Sequence, residues 1–144
     1  MSLKRLELEG RIKKISLKPQ YITDQLAMAD HSLAAAQRNL DADPDLAYGR
    51  SYAAMLAAGR ALMGKTGYIP DGHDRYYSVE LFLREFLEGK IARQFGIMQQ
   101  KYHTLENDQI GTVSTTDAKD AIATAETFIQ IIKEKISPNN PGQG

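Results

Sequence analysis

The sequence predicts an all-α fold, an up-and-down helical bundle of about five to six helices around a four-helix core. Apolar residues recur at alternating spacings of three and four over several stretches, which is typical of amphipathic helices. No stretch shows a convincing alternation of apolar and polar residues, the period that a half-buried strand requires. The connections between the helical stretches are short, which favours antiparallel neighbours. The 144 residues are enough for one domain.

The composition limits the possible functions. Eighteen basic and eighteen acidic residues give a formal net charge of +0, so net charge alone predicts no strong attraction to nucleic acid or to anionic membranes. The chain has no cysteine, which excludes disulfides, thiolate catalysis and cysteine-ligated metals. No signal-peptide pattern and no run of about 18 apolar residues is present. We therefore expect a soluble, cytoplasmic protein that does not enter a membrane.

Residues 1–18 are predicted to form a basic amphipathic helix or an irregular arm that precedes the domain. Apolar residues alternate there with lysines and arginines, while Gly10 weakens a continuous helix and Pro19 ends it. A solvated terminal segment is the simplest interpretation of such a run of charges. A contact with nucleic acid is the alternative.

Two helices are predicted over residues 20–42 and 45–63. The first has a narrow apolar stripe of the kind that forms the seam of a bundle. The second is rich in alanine, which has the highest helix propensity and lets neighbouring helices come close. Asp43 and Pro44 suit the N-cap and first position of this helix, and Gly64 suits its end. The second helix is thus the predicted centre of the bundle.

The second half of the chain is predicted to hold three further helices, after a glycine-rich loop over residues 64–72. One begins at residues 71–74 and runs to about residue 88, and the next covers residues 90–105. The last begins with a capping-box pair, Ser114 and Asp117. The main domain therefore covers residues 19–137, and a disordered tail is expected over residues 138–144.

No familiar catalytic signature stands in its proper context in the sequence. Residues 59–66 have the spacing of a phosphate-binding loop, Gly-x-x-x-x-Gly-Lys-Thr, but they continue the Ala-rich predicted helix and do not follow a strand. The sequence contains no nucleophile elbow and no two-histidine zinc motif. The three histidines lie on separate segments, with no spacing that indicates a metal site. We therefore expect neither a metal nor a cofactor.

Two polar and aromatic clusters are the candidates for chemistry. Residues 72–77 read Gly-His-Asp-Arg-Tyr-Tyr at a predicted helix start, where free N–H groups favour an anion. Residues 99–103 read Gln-Gln-Lys-Tyr-His, late in a helix. The imidazole of His73 or His103 could act as a general acid or base. The simpler interpretations are a turn-capping His73, a surface His103 and a core Tyr102 with a hydrogen-bonded hydroxyl.

The order of several segments resembles the HEPN domain family of bacteria and archaea. The segments are the Ala-rich helix over residues 47–63, Gly-Tyr-Ile-Pro at residues 67–70, and the sequences of residues 79–86 and 114–129. The similarity covers about residues 20–136. It implies a helical bundle that often dimerises through the helices carrying its active groove. The catalytic members are metal-independent ribonucleases, often toxins encoded beside a small nucleotidyltransferase antitoxin.

The family's catalytic motif is an arginine, a polar residue, three variable residues, and a histidine or tyrosine near the end of the penultimate long helix. In the matching window His103 fits the polar position, Tyr102 stands in place of the arginine, and Asn107 stands in place of the last residue. Metal-free cleavage of RNA needs a proton acceptor and a cation beside the phosphate. Asn107 cannot take up a proton, and Tyr102 has no positive charge. Lys101 is turned about 100° around the helix from that position.

These observations lead to three hypotheses. The first is a non-catalytic HEPN-like module of a toxin–antitoxin or defence system, a homodimer that binds RNA, a nucleotide or a partner such as a nucleotidyltransferase-type antitoxin. Its candidate ligand-binding residues are Arg50, His73, Arg75 and Asn107. The second hypothesis is a metal-independent ribonuclease toxin with a rearranged site. Its candidate catalytic residues are Lys101, Tyr102 and His103. The third is a bundle that serves only protein–protein assembly.

Overall fold

The computed structural model of the protein describes residues 2–107 and 111–137, without the side chains of residues 106 and 107. In this part of the chain six helices and one small sheet are present, which confirms the predicted all-α bundle. The helices are α1 (Leu3–Leu8), α2 (Pro19–Asn39), α3 (Pro44–Lys65), α4 (Arg75–Phe86), α5 (Gly89–Asn107) and α6 (Thr115–Ile136). The strands are β1 (Ile12–Lys14) and β2 (Tyr68–Pro70).

The predicted helix starts are confirmed at α3 and α6. Asp43 is the N-cap of α3, where its carboxylate accepts a hydrogen bond of 3.1 Å from the backbone N–H of Leu46. At α6 the Ser114 hydroxyl accepts from the Asp117 N–H at 3.0 Å, and the Asp117 carboxylate accepts from the Ser114 N–H at 3.4 Å. This reciprocal pair is a capping box that satisfies donors left free at the helix start.

Helix α3 lies at the centre of the bundle, as its composition predicts. It packs against α2, α4, α5, α6 and β2, and most of its side chains are buried. Glycines permit two of these contacts. A Cβ at Gly59 would lie 3.0 Å from Val79 on α4, and a Cβ at Gly64 would lie 3.0 Å from the Tyr21 ring on α2. The small side chains of α3 therefore set how closely its neighbours approach.

The sequence prediction missed the two short strands. β1 and β2 pair antiparallel, with Ile12 opposite Pro70 and Lys14 opposite Tyr68. Each strand has three residues, which is too short to show a period of two, so the prediction of a loop at residues 68–70 was wrong. Of the two alternatives for residues 1–18, a basic helix or an irregular arm, the helix is present over Leu3–Leu8, and β1 follows it.

The first segment of the chain is packed onto the bundle. Leu6 is 0% exposed and Ile12 is 1% exposed, so the interpretation of this segment as merely solvated was wrong. The division of the chain at residue 18 stays a prediction. The expected disordered tail, residues 138–144, lies outside the described residues.

An aromatic core joins α3, α5 and α6. The Phe95 ring lies 5.5 Å from that of Tyr52 and 5.9 Å from that of Phe128, measured between centroids. All three side chains are fully buried. This contact fixes α5 against α3 and so determines where the end of α5 lies. No helix in the described part of the chain is both long and apolar enough to cross a membrane.

Candidate functional site

The last turns of α5 place Tyr102 on the surface of α3. Its ring lies 4.9 Å from the Tyr52 ring at an interplanar angle of 31°. The backbone of α3 is close on this side, because a Cβ at Gly49 would lie 3.4 Å from Cε1 of Tyr102. Tyr102 is therefore half-buried in an aromatic contact, as its position on the apolar stripe predicts. The side chain of Asn107 lies outside the described part of the structure.

A cleft of about 470 Å³ opens between the start of α3 and the end of α5. Arg50 and Tyr102 both line it, together with the exposed side chain of Leu46. One candidate residue from α3 thus shares a cleft with one from α5. His73 and Arg75 are exposed and do not line this cleft.

Asp45, which also lines the cleft, holds the connection between α5 and α6. Its carboxylate accepts hydrogen bonds from the backbone N–H groups of Gly111 and Val113, the second at 3.2 Å. Gly111 has φ +81°, a conformation that favours glycine. The carboxylate of Asp43, the second acid in the lining, accepts from the helix backbone. Both acids are therefore held in place by backbone N–H groups, and hydrogen bonds of this kind stabilise the ionised carboxylate.

We expect Asp45→Ala to lower the free energy of unfolding by about 1.5–3 kcal/mol, because hydrogen bonds to a charged acceptor contribute about this much. Chemical denaturation monitored by circular dichroism measures the change. Asp41→Ala, a change at an exposed acid before the helix, is the control and should alter stability by less than about 0.5 kcal/mol. Equal stability of the two variants would contradict a structural role for the Asp45 contacts.

His103 brings the two predicted clusters together. Its ring makes an edge contact with Tyr76, with centroids 5.3 Å apart and an angle of 83°, and lies 5.9 Å from the Tyr102 ring. Tyr76 is in the first turn of α4, within the cluster of residues 72–77. Tyr76 is therefore the residue of the first cluster that contacts the second, whereas the sequence pattern favours His73 as the functional residue of that cluster.

Lys101 lines a different cleft, of about 340 Å³, between α3, α5 and α6. Tyr48, Asp117 and Asp120 also line that cleft. Lys101 and Tyr102 are consecutive residues of a helix and so point in directions about 100° apart. The cleft that holds Arg50 and Tyr102 does not include Lys101.

Burial keeps two tyrosine hydroxyls of α3 protonated. Burial and, as a smaller cause, the nearby Asp117 carboxylate together raise the pKa of Tyr48 to about 12. Burial is the largest cause that raises the pKa of Tyr52 well above its usual range, and the neighbouring Tyr76 is the second cause. The Tyr52 hydroxyl has no hydrogen-bond partner among the described residues. Neither phenol can therefore supply a phenolate base near neutral pH.

The raised pKa of Tyr48 predicts a loss of stability at alkaline pH. The unfolded chain releases the phenol proton near pH 10 and the folded protein only near pH 12, so stability is full below pH 10 and falls between these values. The fall amounts to up to about 2 kcal/mol for this residue. Urea denaturation at a series of pH values should show a smaller fall in Tyr48→Phe. Tyr77→Phe, at a half-buried position on α4, is the control, and identical pH profiles for both variants would contradict this explanation.

Several residues of the site escaped sequence reasoning. Gly49 and Tyr52 lie one turn apart on α3. Because glycine leaves room beside an aromatic side chain, this spacing in an Ala-rich helix indicates a place where an aromatic ring of another helix can pack. Asp45 shows no comparable signal, because its partners follow more than sixty residues later in the chain. Among the described residues no group of three or more histidine, aspartate or glutamate side chains could hold a metal ion.

The fold and the site define a class of protein: a helical bundle whose penultimate long helix ends beside a cleft on the central helix. The family model described as HEPN domain matches residues 22–136. The chain therefore belongs to the HEPN domain family, as the resemblance in its sequence predicts. A search among curated proteins found no match.

Proposed function

We propose that this protein is a non-catalytic HEPN module that binds RNA or a nucleotide in the cleft lined by Arg50 and Tyr102. The observation that carries the proposal is the position of Tyr102 in the motif and the packing of its ring. It stands where the catalytic members of the family have an arginine, and its ring is packed on Tyr52. A neutral ring takes the place of the cation that would stabilise the transition state of phosphate transfer.

The chemistry of the cleft suits a nucleotide. Arg50 is exposed and can form two parallel hydrogen bonds to a phosphate group. Tyr102 lines the cleft with an aromatic ring, the type of side chain on which bases stack. A volume of about 470 Å³ falls within the range of small-molecule sites. These features support binding without requiring a reaction.

The same geometry argues against a ribonuclease. Lys101, the nearest lysine in the sequence, lines a different cleft. The side-chain amide of Asn107 neither takes up nor releases a proton near neutral pH, so it cannot act as an acid–base catalyst. His103 is the one histidine in the motif window, and its ring contacts Tyr76. His103 does not line the cleft that holds Arg50, so the imidazole and the cation that catalysis would require are not joined in one site.

The decisive experiment combines binding and cleavage in one tube. A fluorescein-labelled single-stranded RNA is incubated with the protein in the presence of a metal chelator. We expect the fluorescence anisotropy to rise while the RNA stays intact on a denaturing gel, both with the natural chain and with His103→Ala. Metal-independent cleavage that disappears in His103→Ala would overturn the proposal in favour of the ribonuclease hypothesis. In that case expression should also arrest growth.

The exposed side chain of Ile97 supports assembly as a homodimer. Members of the family often dimerise through the helices that carry the active groove, and Ile97, 57% exposed, is a large apolar side chain that α5 offers for such a contact. We expect light scattering to give twice the chain mass of 16.0 kDa, and Ile97→Lys to give the monomer mass. Met28→Lys, at a 52% exposed apolar position on α2, is the control and should leave the mass unchanged. A natural chain of monomer mass at micromolar concentration would contradict the dimer.

A nucleotidyltransferase-type antitoxin and a cytoplasmic location complete the proposed system. The partner follows from the resemblance to toxin–antitoxin members of the family, and the location from a composition without cysteine or a long apolar run. Co-purification with the product of a neighbouring nucleotidyltransferase gene tests the partner. A neighbouring gene of another class would favour a module that serves only assembly.

A further inference from the structure

We propose that residues 2–18 and the first turn of α4 form a track that guides single-stranded RNA to the cleft of Arg50 and Tyr102. The track deepens the proposed function and rests on it. It assigns a role to two features that the cleft leaves unexplained, the basic start of the chain and the cluster of residues 72–77. Residues 2–18 lie before the part matched by the family model, which begins at residue 22.

The charge of the chain is divided unequally. Residues 1–18 contain six basic and two acidic residues, a net charge of +4. Because the whole chain carries 18 of each sign, residues 19–144 carry a net charge of −4. The balance of the composition therefore hides a basic segment on an acidic domain. Lys13, Lys14 and Lys18 are all exposed in this segment.

The basic segment has a fixed position on the bundle. Leu6 and Ile12 are buried in the core. The backbone N–H of Ile15 donates to the carbonyl of Gly67 at 2.9 Å, and the N–H of Asp71 donates to the carbonyl of Arg11 at 2.8 Å. The segment therefore presents its lysines from a built surface, and a partner does not have to order it on binding.

The first turn of α4 joins this surface to the cleft. The Arg11 guanidinium lies 5.3 Å from the centroid of the Tyr77 ring, within the range of a cation–π contact. The preceding residue, Tyr76, contacts His103, whose ring is close to Tyr102. Tyr76 is 38% exposed, and Arg75 beside it is exposed. Basic and aromatic side chains of the N-terminal segment, α4 and α5 thus lie between the exposed lysines and the cleft.

This combination of basic and aromatic side chains suits single-stranded RNA better than a membrane surface. Proteins that bind single strands without sequence preference combine basic side chains along the backbone with rings that stack on bases. A membrane-bound helix needs a wide apolar face. Here α1 has six residues, and the exposed large apolar side chains of the segment are Leu8 and Ile15. We therefore assign the track to a single-stranded nucleic acid with its phosphates on the lysines.

The test compares two charge reversals of equal size. Lys13→Glu/Lys14→Glu alters the track, and Lys90→Glu/Lys119→Glu alters exposed lysines on α5 and α6. The probes are fluorescein-labelled oligouridylates of about 12 and about 4 nucleotides, lengths within the range of single-strand sites. At about 50 mM salt we expect the track variant to bind the longer RNA about tenfold more weakly, with a slope of log K against log salt shallower by about 1.4. The control pair and the shorter RNA should show changes below twofold.

The two probes separate the track from the cleft. If the longer RNA binds equally to both variants, the track is wrong, while binding of the shorter RNA still supports the cleft. If the shorter RNA does not bind but the track variant binds the longer RNA more weakly than the natural chain does, the proposed cleft is wrong and the proposed track is supported. If circular dichroism shows that Lys13→Glu/Lys14→Glu is unfolded, the milder variant Lys13→Gln/Lys14→Gln is used in its place. Binding of phosphatidylserine vesicles that depends on these lysines, without RNA binding, would also overturn the track.

Discussion

Replacing Phe95 by alanine is expected to lower the free energy of unfolding by about 3–5 kcal/mol. The side chain is 0% exposed, and its ring contacts Tyr52 on α3 and Phe128 on α6. Its removal loses the transfer free energy of the ring and leaves a cavity that the neighbours fill only in part. Three helices meet at this point, so no single side chain can move into the space without leaving another.

The loss should appear as a lower midpoint in urea and as a thermal midpoint lower by about 10 °C, the scale for a domain of this size. Met28→Ala removes a 52% exposed apolar side chain from α2 and should change stability by less than about 0.5 kcal/mol. Phe95→Leu keeps part of the volume and should fall between the two. A loss below about 1 kcal/mol in Phe95→Ala would show that the aromatic core is not the point on which the bundle depends.

The same substitution should also disturb the cleft. Tyr52 lies between Phe95 and Tyr102, with ring centroids 5.5 Å and 4.9 Å away. A cavity on one side of Tyr52 allows its ring to shift, and Tyr102 would follow. RNA binding should therefore weaken in Phe95→Ala even at temperatures where the protein remains folded. The core and the site share one stack of rings.

The helices could be predicted because their signals are local. The apolar stripe of α2 and the caps of α3 and α6 depend on residues no more than one or two turns apart. The capping box of Ser114 and Asp117, for example, lies within a four-residue segment. The alanines of α3 indicate a central position because small side chains are of use only where neighbours come close.

The strands and the joined site could not be predicted, because their contacts are distant in the sequence. β1 owes its existence to pairing with β2, more than fifty residues away, and neither has a pattern of its own. Tyr76 and His103 meet only after α4 and α5 have packed together. A sequence pattern reports which residues share a helix face, whereas these contacts depend on how whole helices are placed.

Arg50→Glu is expected to weaken RNA binding by about 10- to 100-fold at low salt, because it removes a phosphate contact and adds a like charge beside the phosphate. The side chain is exposed on α3, so the substitution should leave the fold intact. Anisotropy titration with the short and the long oligouridylate measures the effect. Unlike the track variant, Arg50→Glu should weaken the binding of both oligouridylates, since both must occupy the cleft.

Lys90→Glu gives the matched control for this substitution, because it makes the same change in net charge at the opposite end of α5 from Tyr102. If one RNA strand contacts both regions, the losses from Arg50→Glu and from Lys13→Glu/Lys14→Glu should multiply in the combined variant, as independent free energies add. If two separate RNA molecules bind, each variant should remove one molecule and leave the affinity for the other unchanged. Stoichiometric titration distinguishes these results. Equal binding by Arg50→Glu and Lys90→Glu would remove Arg50 from the site and leave Tyr102 without a cation for the phosphate.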